Sequence, residues 1–371
     1  MTIRIPYGRQ TIDDRDAKAV VEALRSDWLT QGPKVPQFEN ALADYCGARH
    51  AVAVANGTAA LQAAYAAADF KTGDEFITTP LTFAATATAG LWQGARPIFA
   101  DVDENGNLDP EAVEKALTPR TRAIVPVDFA GRPARLDDLR ALSRKQGVPL
   151  IEDACHALGA DYHGRKIGSC ADMTVFSFHP VKSITTGEGG AILTDDDALR
   201  EKLERFRQHG IVRGDDWEYA VEDQACNYRL TDFQAALGSS QLRRLDDFIA
   251  RRRAIARRYH EAFKGWEDLE TPPGPVDESA WHLYVIRLSG AAAGKRRAVF
   301  QALRAAGIGV QVHYIPVYWH PLYERLGYPR GLCPKAEALY ERIISLPIYP
   351  TLTEAQQDEV VRAVRAALDR A

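Results

Sequence analysis

The sequence predicts an α/β fold with a large domain built on a mostly parallel sheet and a smaller C-terminal α+β domain. Two observations carry this. Between roughly residue 50 and residue 200, short β-rich runs alternate with amphipathic helical runs, the pattern of βαβ units. At 371 residues the chain also exceeds the usual single-domain size.

The expected strands of the sheet are Ala51–Ala55, Glu75–Thr79, Pro97–Val102, Ala123–Asp128, Val148–Glu152, Met173–Phe178 and Gly190–Thr194. Asp109-Pro110-Glu111 opens an intervening helix, with a capping aspartate and proline at its first position. Another helix ends at Gly147 after Lys145. One long connecting helix is expected over Asp232–Lys264, with Phe233, Leu237, Leu242, Leu245, Phe248, Ile249 and Ile255 on its apolar side. Its arginines (Arg251, Arg252, Arg253, Arg257 and Arg258) are interrupted by acidic residues and read as a solvated face rather than a nucleic-acid patch. After the break Thr271–Pro275 come a strand Trp281–Leu288, a helix Lys295–Ala306 and a strand Gly309–Tyr314. The last helix is opened by the capping box Thr353-x-x-Gln356. The divisions expected are an N-terminal arm over 1–35 with an exposed Trp28, a large domain over 36–245 and a small domain over 246–371.

Composition narrows the function. Charged residues are 26% of the chain and the net charge is −4, which gives no general attraction to nucleic acid or anionic membranes. Five scattered cysteines without a C-x-x-C pair argue for reduced thiols. Nine histidines without H-E-x-x-H or H-x-H spacing suggest no metal site. No apolar run reaches the length of a membrane span, and the start lacks the pattern of an export signal, so a soluble cytoplasmic protein is expected. No G-x-G-x-x-G follows a strand, and Gly290 to Arg296 lacks the glycine spacing of a P-loop.

The segment Ser177-Phe178-His179-Pro180-Val181-Lys182-Ser183-Ile184-Thr185-Thr186-Gly187-Glu188-Gly189-Gly190 carries a lysine off a strand end into a loop of small residues. A desolvated lysine there can form a Schiff base with an aldehyde, although a lone lysine is more often a solvated loop residue. Asp153 sits at the carboxyl end of its strand, the edge where open α/β sheets bind ligands, and can pair with a protonated ring nitrogen. By itself it reads equally well as a cap. Asn56-Gly57-Thr58-Ala59 joins a strand to an alanine-rich helix over Ala59–Ala68. Such a helix start favours a phosphate, with Gly57 permitting close approach, Thr58 adding a hydroxyl and Ser177 a further donor; an ordinary cap is the plainer alternative. Phe83, in an apolar run, reads on pattern as a core aromatic.

With Leu29-Thr30-Gln31-Gly32, Asn56-Gly57-Thr58-Ala59-Ala60-Leu61, Glu152-Asp153-Ala154-Cys155-His156-Ala157, the Ser177–Gly190 segment and Asn227-Tyr228-Arg229-Leu230-Thr231-Asp232-Phe233-Gln234-Ala235, nearly the whole chain resembles the DegT/DnrJ/EryC1/StrS family of sugar aminotransferases. That resemblance implies an aspartate aminotransferase-like fold (PLP fold type I). It also implies pyridoxal 5'-phosphate (PLP) as cofactor, alternating with pyridoxamine 5'-phosphate. It makes Lys182 the lysine that bonds the cofactor and moves protons, and Asp153 the partner of the pyridine nitrogen. Gly57, Thr58 and Ser177 become the phosphate holders, Phe83 a stacking ring and His156 a neighbour of the phenolic oxygen. Asn227 is expected to reach the cofactor phosphate of a neighbouring subunit, so a homodimer with shared sites is expected.

Ser177-Phe178-His179, Ile184-Thr185-Thr186, Gln208-His209-Gly210 and Val312-His313-Tyr314-Ile315-Pro316-Val317-Tyr318 are similar to the subgroup of pseudaminic acid biosynthesis. By that likeness L-glutamate gives its amino group to C4 of a UDP-linked 4-keto-6-deoxy-N-acetyl hexose. Tyr7, Asp27, Trp28, Leu29, Thr30, His313, Tyr314, Ile315 and Pro316 are then the sugar-nucleotide contacts. The chain departs from the subgroup at Trp28, where a polar residue is expected, and at Ile315, where a lysine is. Arg229 is the candidate clamp for the donor carboxylate. Amination of another nucleotide-linked keto sugar at C3 or C4 and a non-catalytic sugar-nucleotide regulator remain the alternatives. A family dehydratase, which carries histidine at the lysine position, is disfavoured by Lys182.

Overall fold

The computed structural model describes residues 2–370. Seven strands make the large sheet: β1 (His50–Val54), β2 (Glu75–Thr78), β3 (Arg96–Phe99), β4 (Thr121–Val125), β5 (Ile151–Asp153), β6 (Met173–Ser177) and β7 (Gly190–Thr194). Two hydrogen-bonded groups, β1-β7-β6-β5 and β3-β2-β4, are joined through the parallel bridges Ile124 to Leu150 and Val127 to Asp153. Only β7 runs antiparallel to its neighbours. The sheet is buried on both faces, which is why its strands read as near-continuous apolar runs. Alternation decides the destination of each side chain. Val52, Val54, Ile151 and Val175 enter one core cluster with Tyr65 and Phe76, while Ala53, Leu150 and Phe176 enter the other with Phe38 and Phe248.

All seven expected strands are present with their ends moved by a few residues. The Asp109 carboxylate accepts from the Glu111 amide, and Gly147 closes its helix in the left-handed region at φ 70°. Thr353 and Gln356 form the expected reciprocal capping box.

The single connecting helix does not form. Two helices, Asp232–Leu242 and Leu245–Phe263, meet at a break over Arg243 and Arg244. The cause is long-range: the N-terminal helix Asp14–Leu24 docks here, and the Arg244 guanidinium turns to Asp13 and to the fully buried Asp16. Ser240 and Gln241 also donate to Asp16, at 2.7 Å each. Nor is the arginine row a uniformly solvated face, although Arg257 is exposed. Arg252 is 1% exposed and donates to the carbonyls of Trp281 and Ile348, Arg251 donates to Pro350 and Leu352, and Arg258 pairs with Asp358. Burial lowers the Arg252 pKa to about 10.

A three-stranded antiparallel sheet of Leu269–Glu270, Tyr284–Leu288 and Ile343–Leu346 lies over a core of Tyr259, Phe263, Trp281, Val299 and Val360. The expected strand Gly309–Tyr314 is absent as such. The Gly309 amide donates to Ile5, Gln311 exchanges hydrogen bonds with Ser345, and the chain then turns His313 and Tyr314 toward the large sheet. Among the described residues no helix is long and apolar enough to cross a membrane.

Removing one partner of a buried ion pair strands the other, at about 3–5 kcal/mol. Asp16→Ala should therefore lower the chemical-unfolding midpoint strongly, whereas Arg15→Ala, at an exposed pair, should change stability by less than about 1 kcal/mol.

Candidate functional site

Loops at the carboxyl ends of the parallel strands enclose a cavity of about 750 Å³. After β1 the chain extends through Asn56 (φ −169°), whose side chain accepts from the Ala59 amide at 2.8 Å, and the helix Gly57–Ala67 begins. Helix geometry leaves the first amides without internal acceptors, facing the cavity with a positive dipole end. The end of β6 presses against this start. A Cβ built on Gly57 would lie 2.9 Å from Ser177 Cβ and 3.2 Å from its Oγ, so only glycine lets the two segments close around a small anion.

Asp153 ends β5 and is 4% exposed. Its Oδ2 accepts from Thr86 Oγ1 at 2.7 Å and its Oδ1 from the Cys155 amide at 3.2 Å, so the buried carboxylate is oriented by neutral donors. Lys182 follows β6 in a turn closed by its amide on the His179 carbonyl at 2.9 Å, and its side chain lines the same cavity. Burial pulls its pKa below the ordinary lysine value, opposed by the Cys155 thiol and the Asp153 carboxylate. A larger share of free amine follows, as a nucleophile needs.

His156 is buried, with Nε2 hydrogen-bonded to the Tyr314 hydroxyl at 3.0 Å and its ring 4.3 Å from that of His282. Burial, then the charges of Lys182 and His313, push its pKa well below the usual histidine value, so the ring is neutral. Its Nδ1 meets no hydrogen-bond partner among the described residues, and the residue lines the cavity. His313, hydrogen-bonded through Nδ1 to Ser345 Oγ at 2.8 Å, is lowered to about 4 by burial and by Lys182. Tyr7 stands 5.5 Å from it, and Phe83, 62% exposed, rims the cavity 6.5 Å from Tyr314.

Tyr7, Gly57, Thr58, Phe83, Asp153, His156, Ser177, Lys182, His313 and Tyr314 thus share one cavity. Asp27, Trp28, Leu29 and Thr30 are exposed on the arm, where Thr30 pairs with Thr231. Asn227 is exposed beside Gln208, and Arg229 pairs with Val54 at the end of β1. Ile315 lines a separate cleft with Arg296, Arg297 and Arg330, and Pro316 is buried. Sequence reasoning missed Thr86, His282, and the pair in which Tyr228 donates to Gln62 at 2.6 Å. Thr86, His282 and Gln62 stand in no motif, and Tyr228 is passed over inside the Asn227–Ala235 segment; only folding brings them to the cavity.

These residues suit PLP. The glycine-lined cradle matches a phosphate, the carboxylate a ring cation, the lysine an aldehyde, and the unpartnered His156 nitrogen an oxygen of the ring.

A family model described as the DegT/DnrJ/EryC1/StrS aminotransferase family matches residues 10–365. The spore coat polysaccharide biosynthesis protein SpsC of Bacillus subtilis (strain 168) is 43% identical over 374 residues, covering 97% of this chain and 96% of that protein. A UDP-4-amino-4,6-dideoxy-N-acetyl-beta-L-altrosamine transaminase of Campylobacter jejuni is 40% identical over 349 residues, covering 93% and 92%. The solved structure of Helicobacter pylori PseC, an aminotransferase involved in the biosynthesis of pseudoaminic acid, superposes with a TM-score of 0.95 at 36% identity over 99% of this chain and 100% of that one.

Overpacking costs about 1–3 kcal/mol. Gly57→Ala should therefore lower the unfolding midpoint of the cofactor-free protein and, by forcing Ser177 away from the helix start, weaken PLP binding about tenfold or more in a fluorescence titration.

Proposed function

Because the chain belongs to the DegT/DnrJ/EryC1/StrS family and is a PLP-dependent sugar aminotransferase, we propose that it moves an amino group from L-glutamate to C4 of a UDP-linked 4-keto-6-deoxy-N-acetyl hexose in pseudaminic acid biosynthesis. The observation that carries this reading is the meeting of Lys182, Asp153 and the Gly57–Ser177 cradle in a cavity that Tyr7, His313 and Tyr314 also line. The 40% identity to the altrosamine transaminase supports the sugar.

PLP, when bound, supplies an aldehyde for the amino group and a protonated ring that withdraws electrons. Everything else falls to the chain. Gly57, Thr58 and Ser177 hold the phosphate. Asp153, its carboxyl fixed by Thr86, would hold the ring nitrogen in its protonated form. Phe83 covers one face of the ring, and His156, neutral and braced by Tyr314, donates toward the phenolic oxygen. Lys182 Nζ takes the α-proton of the donor and later returns a proton to the sugar carbon, a role that its lowered pKa favours.

Tyr7, His313 and Tyr314 meet the sugar in this reading. Asp27, Trp28, Leu29, Thr30 and Ile315 meet the nucleotide portion and Arg229 the donor carboxylate, whereas Pro316, expected among these contacts, is buried and makes none. Asn227, exposed and outside its own cavity, reaches the phosphate site of a second copy in a homodimer. An arm over 1–35, a PLP-binding domain over 36–245 and a small domain over 246–371 complete the assignment, and the cytoplasm is its place of work. The 43% identity to SpsC favours, as the second reading, another nucleotide-linked keto sugar of polysaccharide synthesis.

The test is the absorption spectrum of the PLP-loaded protein before and after L-glutamate, followed by the keto sugar. The visible band should give way to the pyridoxamine form with glutamate and return with the UDP-linked 4-keto sugar. Lys182→Ala should slow both changes at least about a hundredfold. Return of the band with other nucleotide-linked keto sugars but not this one would select the second reading.

A further inference from the structure

Behind Asp153, on the opposite side of the sheet end, lie two carboxyl groups that the reaction above does not use. Because side chains alternate along β5, Asp153 shares a side with Ile151, while Glu152 turns away from it, to the side of Leu150. There Glu152 meets Asp128, and both are 0% exposed. Glu152 Oε2 accepts from Thr174 Oγ1 at 2.7 Å, and Asp128 Oδ1 accepts from the Ala134 amide at 2.9 Å. Among the described residues, the two remaining oxygens, Asp128 Oδ2 and Glu152 Oε1, receive no hydrogen bond from any donor. The bridge between Val127 and Asp153 and the bond from the Asp128 amide to the Asp153 carbonyl make the two residues neighbours, and their side chains interact.

Two carboxylates in this setting cannot both stay ionised. Each buried charge is costly, and like charges side by side add repulsion. One proton between them removes the repulsion and one of the two buried charges, and satisfies both orphan oxygens. Backbone bonds tie this pair to Asp153: the Asp128 amide donates to the Asp153 carbonyl at 3.1 Å, and the Asp153 amide donates to the Pro126 carbonyl at 2.9 Å.

We propose that Asp128 and Glu152 share one proton and act as a singly charged positioning unit, holding the strand end that carries Asp153 and adding a fixed negative field behind it. The role toward the cofactor rests on Asp153 being the partner of the ring nitrogen, as proposed above; the shared proton does not. The charges that bear on the pair are the Asp153 carboxylate and the nearby thiols of Cys46, Cys155 and Cys170. Burial raises the carboxyls of the pair above the usual carboxylate range, and Asp153 adds to this. A raised acid stabilises the fold relative to the ionised form at low pH. That contribution is lost as pH climbs through the raised value.

The test compares the holoenzyme with Glu152→Gln, Asp128→Asn and the double variant. Infrared spectra at neutral pH should show a protonated carboxyl band in the wild type that disappears in either single variant. The fall in thermal stability with rising pH should flatten in both. Glu152→Gln keeps one hydrogen bond and one negative charge on the pair, so the pH at which the bound cofactor's visible band converts should stay close to that of the wild type. The double variant removes the charge and should move that midpoint down by about one unit. Absence of the carboxyl band from the wild type, its persistence in Glu152→Gln, or a double variant that titrates like the wild type would overturn the proposal. A wild type that takes up no PLP would overturn the site assignment and the coupling to Asp153, with the infrared band still deciding the shared proton.

Discussion

Asp153 is the constraint around which the site is built: a carboxylate buried at a strand end, oriented by the Thr86 hydroxyl and the Cys155 amide. A buried carboxyl is tolerated only with compensation, and the chain supplies it through those two donors and the nearby Lys182. Its position follows from the sheet. Parallel strands deliver their carboxyl ends to one edge, so β1, β5 and β6 bring Asn56, Asp153 and Ser177 to the same rim although they are far apart in sequence. The antiparallel β7 serves the same rim from its other end: it begins there, at Gly190, against the backbone of Asn56.

Electrostatics within the cavity divide the basic groups by role. Burial lowers Lys182, His156, His282 and His313 together, and the positive charge of Lys182 contributes to lowering each of the three histidines. The histidines are therefore neutral donors and acceptors at pH 7, and the lysine is the group poised to exchange a proton. Tyr314 links the C-terminal segment to His156, so the packing that builds the three-stranded sheet also fixes a ring in the active cavity.

Local signals were legible where one short stretch contains the whole cause. The seven strands, the Asp109 cap, the glycine end at Gly147 and the Thr353 capping box follow from side-chain periodicity and backbone chemistry, and all are present. The helix break at Arg243 and Arg244 was illegible because its cause, the docking of Asp13 and Asp16, sits more than two hundred residues away. The arginine row misled for the same reason: its acceptors are carbonyls and carboxylates contributed by later segments. The run Gly309–Tyr314 has strand-like composition, yet its hydrogen bonds are divided between Ile5 and Ser345 before the chain turns inward.

By itself the sequence determined the α/β class and the family to which the chain belongs, because motifs and periodicity are local, and through the family resemblance it singled out Lys182, Asp153, Gly57, Thr58 and Ser177, which line one cavity. Only the tertiary structure decided that Thr86 holds Asp153, that Tyr314 and His282 brace His156, and that Asp128 faces Glu152. Those pairings depend on which strand ends become neighbours and which side of the sheet each residue takes, and adjacency across a sheet leaves no mark at a fixed spacing along the chain.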